Sequence, residues 1–139
     1  MYLTYEEYQN MGGTLDEPAF NDLEFEARAY VDWVTFNRLW NEEVIPERVK
    51  ECIYHIIKLI QNKLEALNST PDSMSSEDSS GNISSQSNDG VSTTFNRLSA
   101  KETIDAMDKE LQDAIQRYLQ GITNSLGRKL LYRGLYAGE

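Results

Sequence analysis

The stretch Pro46–Leu67, PERVKECIYHIIKLIQNKLEAL, decides the fold class. Val49, Cys52, Ile53, Ile56, Ile57, Ile60, Leu64 and Leu67 recur at spacings of three and four, the signature of one buried helical face. Glu47, Arg48, Lys50, Glu51, Lys58 and Lys63 fall largely on the opposite side. Pro46 suits a first helical turn, where its missing N–H costs nothing. A long amphipathic helix of this kind needs other helices to cover it, so the chain reads as mainly α.

Upstream, Thr4 is a good N-cap for a short helix whose first turn carries Glu6 and Glu7, and Gly12-Gly13 stops it. Tyr2, Tyr5 and Tyr8 repeat every three residues and form a sticky stripe. A second helix is expected from about Ala19 to Arg38, with Pro18 near its start. It carries two apolar lines: Phe20, Leu23, Ala27, Tyr30 and Val34, then Ala29, Trp33, Phe36 and Trp40. A helix that packs on one core needs one stripe. Two stripes mean a central helix or a helix with one face given to another subunit. Downstream, Ser99 and Glu102 in "SAKE" form a capping box for a fourth helix. Ile104, Met107, Leu111, Ile115, Tyr118, Ile122 and Leu126 continue its stripe, which Gly121 interrupts.

Between the third and fourth helices lies a Ser-rich tract. Asn68–Ser80 has no pattern and reads as a flexible lead-in. In Ile83–Phe95, however, apolar and β-branched residues alternate around the turn signal Asn88-Asp89-Gly90. A two-residue loop would put Ile83 and Phe95 on opposite faces. A three-residue loop pairs Ser87 with Val91, Ser85 with Thr93 and Ile83 with Phe95, with Gly90 in the left-handed position. The expectation is therefore a β-hairpin over Ile83, Ser85, Ser87, Asp89, Gly90, Val91, Thr93 and Phe95. A lone hairpin is marginal in water, so its edge would pair with a neighbouring copy. The alternative reading of the pattern is a disordered loop. At the other end, Arg128, Lys129, Leu130, Leu131, Tyr132, Arg133, Gly134, Leu135 and Tyr136 are too apolar for a water-exposed tail. They form either an arm seeking a surface or a strand folding back on its own domain.

The 139 residues fit one domain, with 40% apolar and 26% charged residues. Its helical core is expected at 1–67 and 97–127, the loop and hairpin at 68–96, and an extended arm at 128–139. With the Ser-rich tract set aside, the core draws on about 110 residues, a size at which partner surface often completes burial. No apolar run reaches the roughly 20 residues that span a bilayer, and the first residues do not read as a signal peptide. Asn68-Ser69-Thr70 and Asn82-Ile83-Ser84 match the glycosylation sequon and are read as chance. A single Cys52 fits a reducing cytoplasm. A net charge of −10 argues against gripping nucleic acid electrostatically. The charge is polarised: residues 1–26 carry seven acids and no base, whereas Arg128, Lys129 and Arg133 face only Glu139. Opposite-sign ends suit head-to-tail contact between copies or docking on a partner.

No catalytic, cofactor or metal site is expected, and the chain does not read as an enzyme. Cys52 and His55 are one turn apart, but one Cys and one His would need carboxylates from elsewhere to hold zinc. The adjacent acids Asp16-Glu17 and Glu42-Glu43 read as solvated pairs. Serines near Glu77 and Asp78 could accept phosphate, which gives a second reading: a soluble helical interaction module with a regulatory Ser-rich loop.

The order of parts matters more than any one of them. "YLTYEEYQNMGG", an acidic segment, "FNDLEFEARAYVDWVTFNRL", a long apolar helix, "ISSQSNDGVSTTFN", a helix and "GRKLLYRGLY" together resemble the head–tail connector proteins of tailed bacteriophages, also called adaptors or head-completion proteins. The most telling pieces are Ser85–Phe95 and Leu130–Gly134. The resemblance implies a bundle of about four helices, assembling into a homo-oligomeric ring, usually of about twelve copies, beneath a portal protein. Such a ring sits in the virion neck, after synthesis in the host bacterial cytoplasm. It extends the channel through which DNA passes without sequence-specific binding, and it docks a stopper or tail-completion protein, with no membrane involved. By position, the hairpin would lie between subunits and the 128–139 arm would engage the portal. Deleting Leu130–Glu139 would then leave the helical fold intact and weaken docking.

Overall fold

The computed structural model describes residues 1–68 and 89–139, with backbone alone over 89–100 and at 103. Four α-helices lie within them: α1 (Tyr5–Asn10), α2 (Glu17–Val34), α3 (Glu47–Asn68) and α4 (Asp89–Leu119). The expected mainly helical bundle is what the chain forms. α3 is its centre, with α2 and α4 packed against it and α1 laid on α2. Val49, Cys52, Ile53, Ile56, Ile57, Leu59 and Ile60 of α3 are buried. They meet Phe20, Ala27 and Val31 of α2 and Leu111, Ala114, Ile115 and Leu119 of α4 in one cluster. The α3 stripe ends earlier than its spacing suggests, since Leu64 and Leu67 remain exposed.

α1 has the capping box its sequence contains. The Glu7 N–H donates to Thr4 Oγ1 at 3.2 Å, and the Thr4 N–H donates to the Glu7 carboxylate at 2.9 Å. Lys50 pairs with the same carboxylate and ties α1 to α3. The tyrosine stripe is spent inside the molecule: Tyr8 and Tyr2 are buried, and Tyr8 stacks on Phe20 at 4.8 Å between ring centroids. A Cβ at residue 13 would lie 2.1 Å from the Tyr8 ring, so only glycine lets that ring seat.

α2 is shorter than expected. Asp16 caps it, accepting from the Ala19 N–H at 3.2 Å, and it stops at Val34 rather than Arg38. The Thr35 hydroxyl donates back to the Val31 carbonyl at 2.8 Å. Phe36 and Asn37 then take left-handed φ values of 54° and 58°, where a helix cannot continue. Such conformations persist only when surrounding contacts over-determine them, and here Arg38 supplies those contacts.

α4 corrects two expectations. It begins at Asp89, ten residues before the Ser99 cap, so Ser99 and Glu102 lie within the helix. The strand expected over Val91, Thr93 and Phe95 is therefore helical, and Asp89 and Gly90 open a helix instead of closing a hairpin. Ile83, Ser85 and Ser87 lie outside the described residues. The alternation misled for a simple reason. Positions 91 and 95 share a face in a strand, but they are also i and i+4 in a helix, and Leu98 at i+7 extends only the helical series. At its other end α4 stops at Leu119 and Gly121 takes φ +81°. The glycine terminates the helix rather than interrupting it, and Leu126 falls beyond the stripe, exposed.

The extended arm is also corrected: of the two readings for residues 128–139, the chain folds back on its own domain. The Leu130 N–H donates to the Ile122 carbonyl, and the Asn124 N–H to the Arg128 carbonyl, each at 2.9 Å. Asn124 Oδ1 accepts from the Leu126 and Arg128 N–H groups at 3.1 and 2.9 Å, closing the turn. An isolated antiparallel bridge joins Thr123 and Lys129. The turn drives Leu130 into the core, where it is fully buried.

Candidate interaction surface

Two features stand out, and both start at the end of α2. The first is the second apolar line, which starts on that helix at Ala29 and Trp33, continues past its end at Phe36 and Trp40, and is joined by Phe25. Trp33, Trp40, Phe25 and Phe36 are 75, 68, 64 and 55% exposed. With Met1 and Ala29 they line one open groove. α2 is not the central helix, so this face has no cover among the described residues. Its base is firm. The Tyr2 N–H donates to buried Glu24 at 2.7 Å, and the Tyr2 hydroxyl donates to Asp32 at 2.5 Å. Burial, reinforced by the Asp32 carboxylate, holds the Tyr2 phenol well above its usual pKa. Arg28 lies over the Phe25 ring at 5.5 Å.

The second feature is a clamp made by Arg38, whose side chain is 3% exposed. Its guanidinium donates to the carbonyls of Lys129, Leu130, Tyr132 and Gly134 at 3.3, 3.1, 2.5 and 2.8 Å. It also grips both carboxylate oxygens of Glu139 at 2.9 and 3.1 Å. The Tyr136 ring lies 5.0 Å from the guanidinium carbon. One rigid fork thus fixes the path of the segment Lys129–Glu139, a task suited to arginine's planar array of donors. Glu42 holds the neighbouring turn, accepting from the Ser125 N–H and hydroxyl at 3.0 and 2.9 Å.

The Glu139 carboxyl is held at about 2, below its ordinary 4.5, chiefly by the hydrogen bond from Arg38 and then by the Tyr136 N–H. Its folded pKa is depressed, so its contribution to docking is complete above about 4.5 and is lost as pH falls toward 2. The expected result is loosening of residues 132–139 in that acid window, read from the Tyr136 amide signal by NMR. Glu139→Gln should remove that part of the transition. An unchanged acid profile in the variant would show that another carboxylate drives it.

The remaining sequence candidates have structural positions. Asp16 is a helix cap and Glu42 a turn anchor, so each has a structural role. Cys52 is buried, and burial pushes its thiol up to about 12. His55 packs beside Tyr118 with ring centroids 5.7 Å apart. No group of three metal-ligating side chains occurs among the described residues, and no described helix is long and apolar enough to cross a membrane. Of the expected docking segment, Leu130 is buried and Arg128, Leu131, Gly134 and Tyr136 are half-buried. Lys129, Tyr132, Arg133 and Leu135 are exposed. Asp89, Gly90, Val91, Thr93 and Phe95 lie in the first turns of α4.

Comparison of the chain with protein-family models, with curated proteins and with solved structures gives no match. Sequence reasoning missed Arg38 and Asn124. The one available signal was a lone arginine inside the apolar run WVTFNRLW (Trp33–Trp40), where a charge must find partners.

Proposed function

We propose that this chain is a structural adaptor of the head–tail connector kind: copies assemble into a ring that docks on a portal protein, continues a DNA channel and receives a stopper or tail-completion protein. The observation that carries this reading is the uncovered aromatic face that α2 and the turn after it form. Four large aromatic side chains more than half exposed on one side of a small domain mark a surface meant for protein contact. The order of sequence elements supplies the kind of assembly. Lys129, Tyr132, Arg133 and Leu135 are the arm residues left accessible for contact with another protein, because Leu130 belongs to the core. A chain of net charge −10 also suits a conduit to which DNA should not adhere.

The test is electron microscopy and mass photometry of the purified chain, alone and mixed with portal rings from the same genome. Rings of this chain stacked on the portal are the expected result. A chain that stays monomeric at all concentrations and fails to co-sediment with portal would overturn the reading.

A further inference from the structure

We propose that the aromatic face of α2 is the seat for residues 126–135 of a second copy, in a head-to-tail contact. The assignment rests on the self-assembling reading above and names its seam. The first argument is area. A Phe or Trp offers about 150–250 Å² for burial. The uncovered shares of Phe25, Trp33, Phe36 and Trp40 therefore sum to on the order of 500 Å². That exceeds half of the roughly 800 Å² each partner commits to a stable interface. Tryptophan is also the side chain most enriched at the energetic centres of interfaces.

The second argument concerns the occupant. The same chain carries an apolar knob, with Leu135 84%, Leu126 70% and Tyr132 49% exposed. Arg38 fixes the part of it from Lys129 onward in one shape, so docking it costs little conformational entropy. The two surfaces differ in charge. Residues 126–135 contain Arg128, Lys129 and Arg133 and no acid, whereas the exposed acids Glu17, Asp22 and Glu26 precede the first base of α2, Arg28. On a chain of net charge −10 a basic knob finds its complement on acidic surface, and the first turns of α2 offer that beside Phe25.

The third argument concerns symmetry. A two-fold contact of face on face would bring two acidic surfaces together, and knob on knob two basic ones. Knob on face opposes unlike charges. The two surfaces adjoin through Phe36, which lines a groove with Trp33 and Arg133 on one side and with Leu126 and Leu135 on the other. A contact between two different patches of one chain repeats from copy to copy, closing into a ring or running on as a filament.

The test uses two full-length double variants, Phe25→Ser/Trp33→Glu (face) and Arg133→Glu/Leu135→Glu (knob), all at exposed positions. Circular dichroism checks that both stay folded. Sedimentation velocity is expected to show wild-type chain assembling, and each variant alone weakened by about 100-fold or more. Mixed one to one, the variants should form a dimer and stop there, since the pair holds one intact face and one intact knob. Variants that assemble like wild type would overturn the seat while leaving the adaptor reading in place. Variants that are monomeric alone and also when mixed would overturn the pairing of face with knob. A wild type that self-associates through this seam yet ignores portal rings would uphold the seam and sink the adaptor reading instead.

Discussion

Replacing Arg38 by alanine is expected to lower folding stability by about 2–4 kcal/mol, since a buried carbonyl left without its donor costs about 1–3 kcal/mol. For a domain whose whole stability is about 5–15 kcal/mol, that is a large share. The change removes every donor facing the carbonyls of Lys129, Leu130, Tyr132 and Gly134, and it leaves Glu139 beside them without its bidentate partner. Water can reach some of these groups once the segment loosens, but that loosening pulls Leu130 from the core. Arg38→Lys should recover less than half of the loss. An ammonium has three donors and no fork, so it cannot serve four carbonyls and a carboxylate together. Arg38→Met tests the same point from the apolar side. It fills volume but donates nothing, and should resemble alanine. Chemical denaturation with an unchanged slope measures all three. A stability within about 0.5 kcal/mol of wild type for Arg38→Ala would mean that the clamp is ornamental and that the segment is held by Leu130 alone.

The contrast between α3 and the rest shows where sequence reasoning reaches. α3 was legible because its apolar face repeats over many turns, and that pattern depends on no distant residue. The α1 capping box was legible because its partners are three residues apart. α2 was half legible. Its two stripes could be read, but which one the bundle covers depends on the docking of α1, α3 and residues 122–130, and no local spacing encodes that. The start of α4 was misread because a stretch of five residues satisfies both strand and helix periods. The Arg38 clamp was illegible for a deeper reason. Its partners lie between 91 and 101 residues downstream, and most of them are backbone carbonyls, which every residue has. Sequence identifies a buried charge as needing partners; only the fold says which backbone bends round to supply them.

Deleting residues 130–139 should abolish cooperative folding, not merely weaken docking. A free arm could be removed with helicity and unfolding midpoint unchanged, and that is the outcome the sequence pattern alone suggests. The fold predicts otherwise. Leu130 is fully buried in the core cluster that also holds Leu39, Ile115 and Leu119, and losing a buried leucine of this kind costs about 2–5 kcal/mol. The deletion also removes five of the six oxygen atoms that accept from Arg38, unpinning the turn after α2 at a further cost of about 1–3 kcal/mol. The two losses share contacts and will not add fully, yet together they take a large share of the stability of a small domain. The expected signature is retained but reduced far-ultraviolet helicity, dye binding to exposed apolar surface and a broad thermal transition. Leu130→Ala in the full-length chain separates the causes: it should lower the denaturation midpoint while keeping a single sharp transition, because Arg38 and its remaining acceptors stay in place. A truncated chain as stable as the full-length one would show that residues 130–139 are an arm after all. In that case the exposed knob they present would have to form on a partner and not on the free subunit.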